Sequence, residues 1–429
     1  MSLFSPLTLP SGAVIPNRIA KAAMEENMAD DDHAPSAELL RLYQAWAEGE
    51  AGLIITGNVM VDARAMTGPG GVVLEDDRHL DRFRAWAEAA RSRGAGAWMQ
   101  INHPGRQMPA GLGQETLAPS AIALDLGKQS NRFRMPREMT AYDIAEVERR
   151  FVATARLAER AGFTGVEIHA AHGYLLSQFL SPLSNHRQDR WGGALENRAR
   201  LLLDIVRGVR AAVAPGFAVA VKLNSADFQR GGFSPEDAQA VVAMLAPLGV
   251  DLVELSGGSY EAPAMMGASR DERTLAREAY FLEFARGIAA VATMPLMVTG
   301  GIRRHAVAQK VIDSGIAMAG IATALAIEPN LPRNWRLGRP DVPTLKPITW
   351  KNKPLAATAH MAAVKYQLNR LGRQRRTAPG VSPIWALIVS QADARRRARR
   401  YRRWMEERSV RTEGLAMPRK TDRHPDACP

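Results

Sequence analysis

The chain has 429 residues, 56 Lys and Arg against 44 Asp and Glu, a formal net charge of +12 and one cysteine. That length suits one large core or two smaller ones, and the lone Cys428 excludes an intramolecular disulfide, a four-cysteine iron–sulfur cluster or a cysteine zinc site within the chain. The charge is confined to one end: residues 345–429 hold 20 basic and 6 acidic side chains, leaving 36 basic and 38 acidic in 1–344, so the excess belongs to an extension and not to the body.

Met1 to Asn17 lack a basic head and an apolar core, so no signal peptide is expected. No apolar run reaches transmembrane length, and a cytoplasmic location is the default expectation. Leu7–Leu9 and Ala13–Ile15 around Pro10-Ser11-Gly12 predict an opening hairpin. Short apolar runs then alternate with amphipathic stretches. The predicted strands are Arg18–Ala22, Leu53–Thr56, Ala97–Ile101, Val166–Ile168, Ala218–Leu223, Leu252–Leu255, Leu296–Val298 and Ala317–Ile321. Helices are predicted near 37–48, 79–93, 141–161, 196–213, 235–247, 278–291 and 304–314, with Thr140 and Ser234 as N-caps.

Eight such alternations predict an α/β fold, a (β/α)8 TIM barrel over residues 1–344. A doubly wound sheet would prefer a glycine-rich loop after its first strand, and Ile19 to Met24 contain no glycine. The connection Asn102–Thr140 is long for a compact domain and follows strand three, where a functional loop is expected. Residues 345–429 predict a basic, mostly helical C-terminal extension: a helix over Leu355–Leu371, a break at Pro379-Gly380, a second run from Pro383, and a disordered end from Thr412. Packing on the barrel or on a neighbouring subunit is the preferred reading of that extension. A membrane-surface or nucleic-acid contact through 383–411 is the alternative.

The functional signal lies after strand four. Val166 to Ile168 form a buried run, and His169, His172 and Tyr174 follow within six residues. Three proton-handling side chains at the carboxyl end of a barrel strand suit a site, although paired histidines also cap loops. A metal site would need a third ligand, and there is no H-E-x-x-H helix and no neighbouring cysteine.

The run His169-Ala170-Ala171-His172-Gly173-Tyr174-Leu175, continued by Ser181-Pro182-Leu183-Ser184-Asn185-His186-Arg187, Trp191-Gly192-Gly193 and Glu196-Asn197-Arg198, resembles the old yellow enzyme family of FMN-dependent ene-reductases. Leu3–Leu7, Pro16–Ile19 and Gln100–Arg106 resemble it too, and the likeness covers about residues 3 to 335. The resemblance implies FMN at the carboxyl-end mouth. Ala23 and Met24 would meet the flavin through backbone groups, with Asn58 near its C4 carbonyl and N5, Gln100 at the pyrimidine edge and Lys222 near N1 and O2. Lys222 could instead sit in an ion pair.

Phosphate would lie at Gly300, Gly301 and Arg303 and at Ala322-Thr323, where the family more often has Gly-Arg. His169 and His172 would bind the oxygen of an activated alkene, flavin N5 would deliver hydride, and Tyr174 would be the proton donor. NADPH or NADH would reduce the flavin in the same pocket, in a ping-pong pattern. Glu25, where some relatives carry cysteine, would face the ring and the substrate or point to solvent. Another oxidant, such as a nitro compound or CoA thioester, and oxidative demethylation are alternatives for such a barrel, and a homo-oligomer is compatible with it. The cysteine count argues against the iron–sulfur, two-domain variant.

Overall fold

The computed structural model describes residues 1–264, 278–340, 345 and 348–416. Eight parallel strands close on themselves. They are β1 (Ile19–Lys21), β2 (Leu53–Ile55), β3 (Gly96–Asn102), β4 (Gly165–Ala170), β5 (Ala218–Asn224), β6 (Leu252–Ser256), β7 (Leu296–Thr299) and β8 (Met318–Ile321). Each pairs with its neighbour in sequence, and β8 returns to β1 through Ala319↔Ile19 and Gly320↔Ala20, so the expected (β/α)8 barrel forms without a free edge.

Helices α1 (Ala37–Glu48), α2 (Leu80–Arg91), α3 (Ala141–Arg160), α4 (Leu195–Ala212), α5 (Pro235–Leu245), α6 (Leu282–Ala289) and α7 (His305–Asp313) surround it. Their inner faces and the outward residues of the strands form one continuous core. Thr140 and Ser234 each close a capping box, with Asp143 and Asp237, so both predicted caps fix their helices as the sequence indicates. Helix α6 begins later than predicted because Tyr280 N–H bonds to Gly300 O at 3.2 Å and holds 278–281 as a turn.

The hairpin Leu7–Thr8/Val14–Ile15 plugs the amino-terminal end of the barrel. Leu7, Leu9 and Ile15 pack with Leu53, Ile55, Trp98, Ala218, Leu252 and Met318, and Ser11 N–H bonds to Asp251 just before β6. One open mouth is left, at the carboxyl ends of the strands.

Two further helices follow, α8 (Lys353–Gly372) and α9 (Pro383–Ala416). Helix α9 continues past Thr412, where the sequence suggests disorder to begin, with no proline before Pro418 to stop it; Cys428 and the rest of that end lie outside the described residues. Helix α9 rests on the loops of the open mouth. Tyr401 and Met405 pack with Met60, Ala63 and Met66 of the loop after β2 and with Met108 and Leu112 of the loop after β3. Among the described residues no helix is long and apolar enough to cross a membrane.

Candidate active site

The chain turns sharply after β4, with His172 at φ 61° and Gly173 at φ 73°. A Cβ on Gly173 would fall 2.7 Å from Gln107 Oε1 and 2.8 Å from Ser259 Cβ, so glycine is required for the turn to pass between those neighbours. The turn brings the three expected side chains together. The His169 ring lies edge-on to His172 at 5.0 Å and to Tyr174 at 4.9 Å between centroids.

Both imidazoles are neutral. Burial, then the neighbouring His172 and Lys222, push His169 well below its ordinary value, and burial with Lys222 does the same to His172. His169 Nδ1 accepts from Ala171 N–H at 3.2 Å, which places its proton on Nε2. His172 is held at two points: its backbone N–H donates to Asn224 Oδ1 at 3.0 Å, and its ring Nε2 lies 2.8 Å from Ser256 Oγ. The Tyr174 phenol sits 3.2 Å from the Tyr260 hydroxyl, and burial, then the nearby Tyr260 and Glu25, raise it well above the ordinary phenol value.

Beneath these groups the barrel interior is polar. Lys222 Nζ lies 2.6 Å from Glu254 Oε1, which also accepts from Thr299 Oγ1, and both charged side chains are buried. Gln100 Nε2 donates to Glu167 Oε2 at 2.6 Å. Burial and the charge of Glu254 raise Glu167 well above the carboxylate range. At Glu254 the effect of burial is overcome by Lys222 together with hydrogen bonds from Glu167, Lys222 and Thr299, which hold its carboxyl below the ordinary value. The free oxygens of the two, Glu167 Oε1 and Glu254 Oε2, are buried without another donor, as expected of a pair holding one proton between them. Of the two readings of Lys222, the ion pair is therefore present, and it neutralises the cation.

The remaining expected residues spread around the same mouth. Ala23, Met24 and Glu25 follow β1, and Gly57 and Asn58 follow β2. Gly57 comes so close to the first loop that a Cβ there would lie 2.1 Å from Met24 O and from Glu26 Oε2. Glu25 neither lies free nor points to solvent: Oε1 accepts from Thr67 Oγ1 at 2.6 Å and Oε2 from Lys365 Nζ at 3.1 Å.

At the far side Gly300 and Gly301 adopt φ 129° and 72°, and the Tyr280 ring stands 2.5 Å from where a Gly301 Cβ would be. Arg303 is engaged by Glu278 Oε1 at 2.7 Å, which Arg304 shares at 2.9 Å. Ala322 precedes the short helix Thr323–Ile327, and Thr323 is exposed.

Ser256, Asn224, Tyr260, Glu167, Glu254 and Lys365 were not apparent from the sequence. Glu167 and Glu254 lie inside predicted strands, Asn224 and Ser256 directly after them and Tyr260 in the loop beyond. A polar residue in or at the end of an apolar run was therefore the available signal for all of these but Tyr260. Lys365 had none.

The residues fit a flavin at its ring end. Asn58 Oδ1 is buried without a hydrogen-bond donor, an acceptor left for a group the chain does not itself supply. The chain belongs to the NADH:flavin oxidoreductase / NADH oxidase family, whose pattern matches residues 2–342. FMN is accordingly its cofactor and a nicotinamide dinucleotide its reductant.

An NADH-dependent flavin oxidoreductase of Hypocrea jecorina is 37% identical over 353 residues, covering 76% of this chain and 87% of that protein. One of Neonectria sp. is 39% identical over 353 residues, again 76% of this chain but 46% of that protein, so the chain spans about half of that longer relative. The solved old yellow enzyme homologue from Zymomonas mobilis superposes with a TM-score of 0.69 at 26% identity, over 83% of this chain and 98% of that one.

Proposed function

We propose that the chain is an FMN-dependent NAD(P)H oxidoreductase that reduces the C=C bond of alkenes conjugated to a carbonyl or nitro group. The observation that carries this reading is the cluster of two neutral imidazoles and a protonated phenol in ring contact at the barrel mouth. In this reading residues 1–344 are the catalytic barrel. Ala23, Met24, Asn58, Gln100 and Lys222 would hold the flavin ring, and Gly300, Gly301, Arg303, Ala322 and Thr323 would hold the phosphate. When bound, FMN supplies the hydride.

The chain's own residues do the rest. His169 Nε2–H donates to the substrate oxygen. With Ser256 donating to His172 Nε2, His172 Nδ1–H is left as the second donor, and the two stabilise the negative charge that develops on that oxygen. Tyr174 O–H gives its proton to the α-carbon as hydride reaches the β-carbon, so a C=C π bond is exchanged for two C–H bonds. A weakly acidic phenol suits this transfer to a strongly basic carbon, and Tyr260 can return a proton to it.

Anaerobic half-reactions test the reading. NADH should bleach the flavin spectrum, and 2-cyclohexen-1-one or β-nitrostyrene should restore it with formation of the saturated product. Bleaching by NADH with no recovery on either alkene would overturn the substrate class.

A further inference from the structure

The family pattern ends at residue 342, yet a side chain from beyond it reaches the mouth of the barrel. Lys365, on α8, bonds Glu25 Oε2 at 3.1 Å and also Asn27 Oδ1. Asn27 takes a left-handed turn, φ 53°, which carries its side chain to the same ammonium. Glu25 and Lys365 are 22% and 25% exposed, so solvent only partly screens the pair.

The surrounding contacts fix this geometry. Arg397 donates to Ala29 O at 3.0 Å, Tyr401 to Ala63 O at 2.8 Å, and His33 packs on Tyr401 and Trp404 at 5.4 and 4.6 Å. The extension thus grips the loops after β1 and β2, which carry Glu25 and Asn58.

We propose that Lys365 is a positioning residue of the active site: by neutralising Glu25, the C-terminal extension sets the charge at the barrel mouth where FMN and substrate bind. Without it, Glu25 would present an unbalanced carboxylate on the loop that follows β1, and any step that builds negative charge at the mouth would become harder. The direction at Glu25 agrees. Burial alone would raise its carboxyl, but Lys365 and the bond from Thr67 bring it below its ordinary value, so the carboxylate stays charged and needs its counter-ion. Lys365 lies outside residues 2–342, the span of the family pattern. The inference rests on FMN binding at this mouth, not on the identity of the alkene.

The test is the midpoint potential of bound FMN in the full-length holoenzyme, measured for the wild type, K365Q, K365R, E25Q and K365Q/E25Q. K365Q should bind reduced FMN about tenfold less favourably relative to oxidised FMN, which lowers the potential by about 30 mV for a two-electron couple. K365R should restore the wild-type value, E25Q should raise the potential, and K365Q/E25Q should return close to the wild type. A K365Q shift that E25Q does not reverse would mean that Lys365 does not act through Glu25, and potentials equal across the series would leave it a packing residue; either result overturns the proposal. Should K365Q fail to retain FMN, E25Q alone decides, since an unchanged potential in E25Q is equally fatal. Loss of alkene-dependent reoxidation with the potential shifts intact would count against the substrate reading and not against Lys365.

Discussion

The phenol oxygens of Tyr174 and Tyr260 lie 3.2 Å apart, and through that contact the loop after β4 is joined to the loop after β6. The two phenols are not equivalent, because only Tyr174 also packs on His169. Tyr174→Phe should slow alkene reduction about 10²- to 10⁴-fold, the range for loss of a general acid. Tyr260→Phe removes one hydrogen bond and should cost about 1 kcal/mol. Stopped-flow reoxidation of the reduced enzyme by 2-cyclohexen-1-one separates the two, and equal effects would remove the distinction drawn between them.

In the proposed mechanism Ser256 donates to His172 Nε2, which puts the ring proton on Nδ1. Ser256→Ala lets the ring settle with its proton on Nε2, which withdraws Nδ1–H from the substrate oxygen. Alkene reduction should then fall about tenfold, close to 1.4 kcal/mol of transition-state stabilisation. An unchanged rate would show that His172 does not act through Nδ1.

Lys222 and Glu254 form a buried pair. Removing one partner leaves the other charge buried alone, so Lys222→Met should destabilise the fold by about 3–5 kcal/mol. Lys222→Met with Glu254→Gln should recover part of that loss, in urea unfolding followed by tryptophan fluorescence. Two single losses that simply add would contradict the pairing.

Buried histidines give the fold an acid-side weakness. Burial holds His103 down to about 4, and it lowers His33, His169 and His172 as well. These groups are neutral in the fold, whereas the unfolded chain takes up protons below its own value of about 6.5. Stability is therefore complete above that pH and declines as the pH falls toward the folded value, by about 1.4 kcal/mol per pH unit for each such histidine. The urea midpoint should drop between pH 7 and pH 5, and His103→Asn should flatten that slope.

Gly57→Ala would place a methyl 2.1 Å from Met24 O and Glu26 Oε2. Main chain cannot yield that distance without moving the loop after β1, so the variant should purify with less FMN per chain than the wild type. A full complement of flavin would mean that loop tolerates the shift.

Most of the barrel was legible because buried parallel strands read as unbroken apolar runs. Each of the eight lies where predicted, with ends differing by a residue or two, and β4 extends past Ile168 only because Ala170 still pairs with Leu223. The His169–Tyr174 cluster was legible for a different reason, since its members are close in sequence. Partners brought in by the fold were not. Ser256 lies 84 positions from His172, Tyr260 lies 86 from Tyr174, and Lys365 lies 340 from Glu25. Pairings of that range follow from barrel closure and helix docking, neither of which leaves a local pattern.

The Arg-rich part of α9 has a consequence of its own. Arg397 reaches the loop after β1, Arg402 bonds to Gly111 O after β3, and Arg408 pairs with Glu75 after β2. The body they rest on is close to neutral, so these arginines place part of the chain's basic excess beside the barrel mouth. A dinucleotide arriving with its pyrophosphate charges would be attracted by such a basic rim before any contact is made. Capture of NADH should then quicken as salt is diluted, and a salt-independent rate would leave the segment outside the family pattern without a part in that approach.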